Sequence, residues 1–390
     1  MRQSVGGSKT NYTLMKTIVI SAVNIVEAGT LVILRDCLHY LSQLAVDGHY
    51  RVVAVVYDQN LAKYPHVEYI ETQWPKKRWI NRLWYEYVSM KKVSKEIGSV
   101  YLWFSLHDVS PNIKAERRAV YCHNPFPFYT WKWRELLFAP KIVLFALFSK
   151  FIYRKNIYDN DFIVVQQLWI REAFRKMFEL ESDKIIVSLP ANPMLNCDFG
   201  KDTSNDEYQF IYAASPNSHK NFECLCEAAS LLERNGVSGF KVLITVTGNE
   251  NRYAQWLFKK WGNKVNALKW IGFQKRDDLF RLYGESNCLV FPSKAETWGL
   301  PISEFANYEK PMLLADKPYA RETAAGSKYT AFFHPDRPDW LAEHMKRLIE
   351  GKRSSLAQVD RINIKQPVVN EWRTLFDLLL NKHHEDITGR

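Results

Sequence analysis

The sequence has little of what marks zinc proteins, secreted proteins and membrane-spanning ones. Six cysteines (Cys37, Cys122, Cys197, Cys224, Cys226 and Cys288) are scattered over 390 residues, with no Cys-x-x-Cys pair and no Cys/His cluster at zinc spacing. Several lie in apolar stretches and read as reduced core thiols of a cytoplasmic protein. Residues 1–14 lack the apolar core of a signal peptide and read as a disordered leader before the first strand. The apolar run 142–148 is far shorter than the roughly 20 residues that span a bilayer. No helix-turn-helix, RRM or zinc module appears and the basic residues are dispersed, so nucleic acid is not an expected partner.

What the chain does have is apolar and basic. Apolar residues make up 47% and charged residues 24%, a globular composition with length enough for two α/β domains. Net charge is +11, and most of the excess lies in the first 200 residues, with 26 basic against 18 acidic side chains. A basic N-terminal half points to an anionic partner. Strands are expected at 17–23, 51–57 and 100–105, the run 51–57 being continuous and β-branched as buried parallel strands are. Further strands are expected at 67–70, 118–121, 161–166 and 184–189, with helices over 31–44 and 82–97. A polar stretch, 190–206, reads as a linker. A second strand–helix series follows: strands 208–213, 241–247, 267–271, 288–291 and 311–314, with helices 222–235 and 277–283. The expected fold class is α/β with two Rossmann-like, doubly wound domains, 15–195 and 196–366. An amphipathic helix within 367–390 places Trp372, Leu375, Phe376 and Leu379 on one face.

The most informative segment is 290–304, Val-Phe-Pro-Ser-Lys-Ala-Glu-Thr-Trp-Gly-Leu-Pro-Ile-Ser-Glu. A strand ends at Pro292-Ser293, a loop carries Glu296, and Gly299-Leu300-Pro301 opens a helix bearing Glu304. Proline suits a first helical turn, where its missing N–H costs nothing. The amides of Thr297, Trp298, Gly299 and Leu300 converge, and such an end attracts anions. Two carboxylates there would repel a bare phosphate. They make sense when the ligand also offers hydroxyls, as a sugar diphosphate with a ribose does.

This segment resembles the E-x7-E motif of retaining GT-B glycosyltransferases of family 4 (glycosyl transferases group 1), of the bacterial surface-polysaccharide type. The likeness is strong over 205–365 and weak in the first half. It implies a GT-B fold, two Rossmann-like domains facing a cleft, with the last helix crossing back to the first domain. It implies that Glu296 lies by the donor sugar and that Glu304 binds the ribose hydroxyls. In 216–221, Pro-Asn-Ser-His-Lys-Asn, Lys220 matches the family's diphosphate-binding lysine, with Asn217 and His219 beside it. The family's preceding arginine falls near Ala214 or Ser215, so either His219 and the loop amides compensate or the charge comes from another residue. Ile271 and Gly272 stand where the family holds the base by backbone groups. His123, in Tyr-Cys-His-Asn-Pro, resembles the family's cleft-edge histidine, and His107-Asp108 is a weaker place of the same kind. Gly29-Thr30 resembles the first loop of the acceptor domain, with Ala28 in place of one glycine.

The resemblance implies no metal and no cofactor, only a nucleotide-diphosphate sugar as donor. Asp159-Asn160-Asp161 spells the DxD of metal-dependent enzymes, but it precedes a strand where acidic turn residues are ordinary. Segment 131–155 flanks its apolar run with Lys132, Arg134, Lys141, Lys150, Arg154 and Lys155. It reads either as a helix on an anionic membrane surface or as core. The expected function is transfer of a hexosyl or deoxyhexosyl group to a lipid-linked saccharide of O-antigen or capsule, at the inner face of the plasma membrane. The other readings are a GT-B sugar-nucleotide epimerase or hydrolase, and a non-enzymatic basic binding protein.

Overall fold

The computed structural model describes residues 15–26, 28–131, 133, 135–190 and 207–381. The leader 1–14, Cys197, the expected linker apart from residue 190, and the tail 382–390 lie outside the described residues. So does the expected domain boundary at 195.

Fourteen strands form two parallel sheets among the described residues. The first holds β1 (Lys16–Ala22), β2 (Tyr50–Val56), β3 (Val67–Glu71), β4 (Leu102–Ser105), β5 (Arg117–Cys122), β6 (Phe162–Val165) and β7 (Ile185–Ser188). The second holds β8 (Tyr208–Tyr212), β9 (Phe240–Ile244), β10 (Leu268–Trp270), β11 (Cys288–Phe291), β12 (Met312–Ala315) and β13 (Thr330–Phe333). A short last strand, β14 (Val368–Val369), returns to the first sheet and pairs with β7, Val368 opposite Val187. The orders are β14-β7-β6-β5-β4-β1-β2-β3 and β10-β9-β8-β11-β12-β13. Helices cover both faces, so strands such as β4, β6 and β11 are buried at every residue and read as unbroken apolar runs. The fold class is α/β with two doubly wound domains.

The last helix, Trp372–Leu380, packs on the first domain. Leu375, Phe376 and Leu379 are fully or almost fully buried in one cluster with Ile18, Ile20 and Phe104. The rings of Phe376 and Phe104 meet edge-on at 5.9 Å. Tyr101 donates to the Leu380 carbonyl at 2.6 Å and Arg117 to the Leu379 carbonyl at 2.7 Å. These bonds take up carbonyls that a helix end leaves unpaired.

Two elements differ from the sequence reading. The expected helix 82–97 starts at Trp79 and widens into a π turn over Tyr85–Ser89 before Met90–Ile97. Tyr85 and Met90, five apart, both face the core, and α spacing would carry one of them away. Gly29 and Thr30 lie in no loop. They form the first turn of the helix Ala28–Leu44, because the chain turns into helix directly after the short link behind β1. Gly29 has open space around it, so no close approach of backbone requires glycine there.

Candidate active site

In an open parallel sheet the crevice forms where adjacent strands send their following loops to opposite sides. In the second sheet that point lies between β8 and β11. The loop after β8 carries Lys220 and the loop after β11 carries Glu296. Lys220 Nζ donates to Glu296 Oε1 at 2.5 Å, with both side chains largely buried.

One side chain holds these loops together. Asn221 follows Lys220 in the left-handed region (φ 58°) and precedes the helix Phe222–Arg234. It is 2% exposed. Its Nδ2 donates to the Pro292 carbonyl at 3.0 Å and the Pro335 carbonyl at 2.8 Å, joining the loops after β8, β11 and β13. Tyr212 donates to the Lys220 carbonyl at 2.7 Å, and the Lys294 amide to the His219 carbonyl at 2.8 Å. Asparagine tolerates the left-handed backbone better than most residues. Its place just ahead of an apolar helical repeat was the one local signal for this role.

Gly299 (φ 84°) precedes the helix Leu300–Ala306, and a Cβ there would stand 3.3 Å from Ile302 Cδ1. Among the described residues the amides of Thr297, Trp298 and Gly299 donate to no backbone carbonyl. Trp298 is fixed by its own Nε1 bond to Ser303 Oγ and by the Thr323 hydroxyl on its carbonyl, while Leu300 is exposed. Glu304 lies on this helix, half-buried. Burial raises its pKa above the usual carboxylate value, and Arg276 opposes the shift. At the end of β10, Gly272 has φ 71°, and a Cβ there would meet Thr247 Cγ2 at 2.8 Å. Glycine is therefore required. Ile271 is tied by its amide to the Ile244 carbonyl, and Phe273 beside them is 87% exposed.

His219 does not supply the charge of the missing arginine. Its ring is 8% exposed and stands edge-on to Phe126 of the first domain at 5.1 Å. Burial, then Lys220, push its pKa down to about 3, so it is neutral near pH 7. Asn217 is exposed, its amide on Ser215 Oγ at 2.9 Å. No cationic side chain takes the arginine's place in this loop, and Ser215 itself is exposed.

In the first domain His123 is also buried, and burial lowers its pKa. Its Nε2 donates to the Leu106 carbonyl at 2.8 Å, which leaves Nδ1 an acceptor with no partner among the described residues. Asp108 holds the loop through the amides of His123 and Asn124. His107 is turned inward onto Glu86, 2.6 Å away and fully buried, so this pair belongs to the interior. Asp159 and Asp161 are engaged with the Arg118 guanidinium and amide. Among the described residues no group of three or more His, Cys, Asp or Glu side chains is placed to hold a metal.

The two domains touch around this site. Gln167 donates to the Tyr319 carbonyl and to Thr323. The Glu322 carboxylate accepts from the amides of Leu168 and Trp169, capping the helix Leu168–Phe178 from across the cleft. Lys294 lies within 4 Å of Glu135, Glu223 and Asp336. Phe138 packs on Tyr253 and Trp256. None of these contacts was legible in the sequence.

Residues 198–365 match the profile of the family described as glycosyl transferases group 1. Over 297 residues the chain is 21% identical to the O-antigen chain mannosyltransferase RfbU of Salmonella typhimurium, covering 73% of this chain and 77% of that one. Similar solved structures include the lipopolysaccharide outer core galactosyltransferase WaaB in its apo form, with TM-score 0.60, 12% identity, and 87% and 91% of the two chains covered. The sucrose-phosphate synthase of Thermosynechococcus elongatus has TM-score 0.61 and 13% identity, over 86% and 90%. The fold is GT-B.

Replacing Asn221 by Asp keeps the volume and a residue tolerant of the left-handed region, but removes the donor from two buried carbonyls. The expected loss is about 2–5 kcal/mol, read by urea unfolding. A midpoint equal to wild type would mean that the three loops are held by other contacts.

Proposed function

We propose that this chain, whose residues 198–365 match the glycosyl transferases group 1 profile, is a glycosyltransferase that transfers a hexosyl or deoxyhexosyl group with retention of configuration. The donor is a nucleotide-diphosphate sugar, and no metal ion is needed. The acceptor is a lipid-linked saccharide in the assembly of O-antigen or a similar bacterial surface polysaccharide, at the inner face of the plasma membrane. The observation that carries this reading is the meeting of Lys220 and Glu296 at the β8/β11 switch point, with Glu304 on the next helix. A relative named as an O-antigen chain mannosyltransferase supports the pathway class and makes a mannosyl donor the first to test.

In this reading Glu304 accepts from the ribose hydroxyls and Gly272 lets the base lie close to the backbone. Lys220 and the amides of 297–299 face the diphosphate. The bond from the sugar's anomeric carbon to the phosphate oxygen breaks as the acceptor oxygen bonds to that carbon on the same face. The acceptor's proton passes to the departing phosphate oxygen. Negative charge grows on the diphosphate, where a fixed ammonium and oriented amides stabilise it most. Glu296 holds Lys220 in place before the donor arrives. The Nδ1 lone pair of His123 can accept from a sugar hydroxyl.

The membrane contact rests on surface chemistry. No helix among the described residues is long and apolar enough to cross a membrane. Helix Pro140–Arg154 buries Val143, Ser149 and Tyr153 and exposes Leu144, Leu147, Phe148 and Phe151, so it is core on one side and open on the other. Beside it, joined by Tyr87 donating to the Ile152 carbonyl, the helix Trp79–Trp84 exposes Trp79, Ile80 and Trp84. Lys76, Lys77, Arg78, Lys150, Arg154 and Lys155 are all exposed. Apolar side chains with basic neighbours suit an anionic bilayer surface.

Thermal shift with UDP, GDP, dTDP and CMP should find one stabilising nucleotide for the wild type. Glu304→Gln should lose that shift yet be the more stable protein at pH 7. A buried carboxyl with a raised pKa binds its proton more readily folded than unfolded, so its ionisation costs stability above the usual 4.5. The stability gap should close as pH falls below that value. A retained nucleotide shift in the variant would remove the ribose role. Lys220→Ala should lower kcat by about 100-fold or more, with a smaller effect on donor affinity, and unchanged turnover would place the charge elsewhere. Flotation with vesicles rich in phosphatidylglycerol should carry the wild type at low salt and release Phe148→Ser/Phe151→Ser. Failure of the wild type to float would rule out this surface.

A further inference from the structure

The donor-binding groups do not account for a cavity beside them. Between the turn 125–131 of the first domain and the loops after β11, β12 and β13 lies a space of about 640 Å³. Much of its wall is aromatic: Phe128, Tyr129 and Trp131 from the turn, and Trp169 from the opposite helix end. Trp131 and Trp169 are each half-buried and so present a face to the space. Its charged groups are few. Lys294 is already surrounded by Glu135, Glu223 and Asp336 at 3.6, 3.8 and 3.7 Å. Lys317, half-buried on the loop after β12, has no carboxylate within ion-pair distance among the described residues. Glu296 and Asp336 complete the set.

The lining separates this cavity from the donor's place. Neither Lys220, Thr297, Gly272 nor Glu304 borders it. Glu296 alone is shared, reaching Lys220 at 2.5 Å while also bordering the cavity. Size and character match a small-ligand site, apolar and aromatic with a few placed polar groups. A pyranose fits that chemistry: one face of the ring is C–H and apolar, and its rim is hydroxyl. A flat nucleobase would find little to pair its polar edge. A free phosphate would meet the Glu296 carboxylate and too much aromatic surface.

We propose that this cavity binds the terminal pyranose of the acceptor, its C–H face on Trp131 and Trp169 and its hydroxyls toward Lys317 and Glu296. The inference rests on the glycosyltransferase reading and adds the acceptor's position. It places the acceptor on the side of Glu296 away from the nucleotide, so the two substrates meet across that carboxylate. It also moves acceptor recognition from the Gly29-Thr30 turn to the turn 125–131 and the loop after β12. Lys317 and Trp131 are then residues that select the acceptor sugar.

The test uses octyl α-pyranosides of mannose, galactose, glucose, rhamnose and N-acetylglucosamine as probes, in saturation-transfer NMR with the full chain. At least one should show saturation transfer that persists when the stabilising nucleotide is added to saturation. Lys317→Ala and Trp131→Ala should each weaken that glycoside at least fivefold while keeping the nucleotide thermal shift. Displacement of the glycoside by the nucleotide alone would overturn the proposal, assigning the cavity to the donor. So would silence from every glycoside, or equal binding by both variants, in protein that still responds to nucleotide. Absence of any nucleotide response in the wild type would instead strike at the glycosyltransferase reading itself.

Discussion

The site depends on keeping three irregular loops in register. A parallel sheet leaves every strand ending in a βα loop on the same edge, and such loops have no ladder bonds of their own. Asn221 supplies the missing tie, its amide shared between carbonyls 71 and 114 residues away in sequence. The helix that begins after it and the strand ends of β11 and β13 are thereby fixed relative to one another. Lys220 and Glu296 are each adjacent to, or a few residues from, that tie, so their contact follows from it. Burying both carbonyls without a donor would cost more than the bonds contribute, which makes the clamp asymmetric in its consequences.

The contact between domains combines aromatic packing, Phe138 on Tyr253 and Trp256 and Phe126 on His219, with polar ties. Gln167, Glu322, Lys294 and Glu135 are buried or half-buried, and their partners lie across the cleft or along its edge. Charges in such places give little net stability, because desolvation offsets attraction. They discriminate strongly between arrangements, since a misaligned contact leaves a buried charge unpaired. Burial raises the pKa of Glu322, while the two amides of the opposite helix favour its charged form.

Much of this was legible in the chain. The strand runs of the second domain read clearly because they are buried on both faces and rich in β-branched residues. The strand, loop and helix that carry Glu296 and Glu304 were legible because Pro-Ser and Gly-Leu-Pro mark where one ends and the other begins. Asn221 was not, because its partners lie far away in sequence and leave no local pattern. The burial of His219, which with Lys220 lowers its pKa, was equally hidden: Phe126 of the other domain stands edge-on to the ring. Segment 131–155 resisted a single reading because its main helix carries apolar residues on more than one side, and only packing shows which of them are covered. The turn in Tyr85–Ser89 was missed because a π bulge shifts the repeat by one residue without changing composition.

The return of β14 and the last helix to the first sheet bears on how the chain is made. Translation delivers β1 to β7 early, yet the edge strand beside β7 and the apolar cover over Phe104 arrive only after β8 to β13 have been made. Domains that fold as they emerge usually do so from the N-terminal end. Here the second sheet, continuous from β8 to β13, has all its strands before the first one does. The growing chain therefore carries an open apolar face on its older half until the whole second sheet has been made.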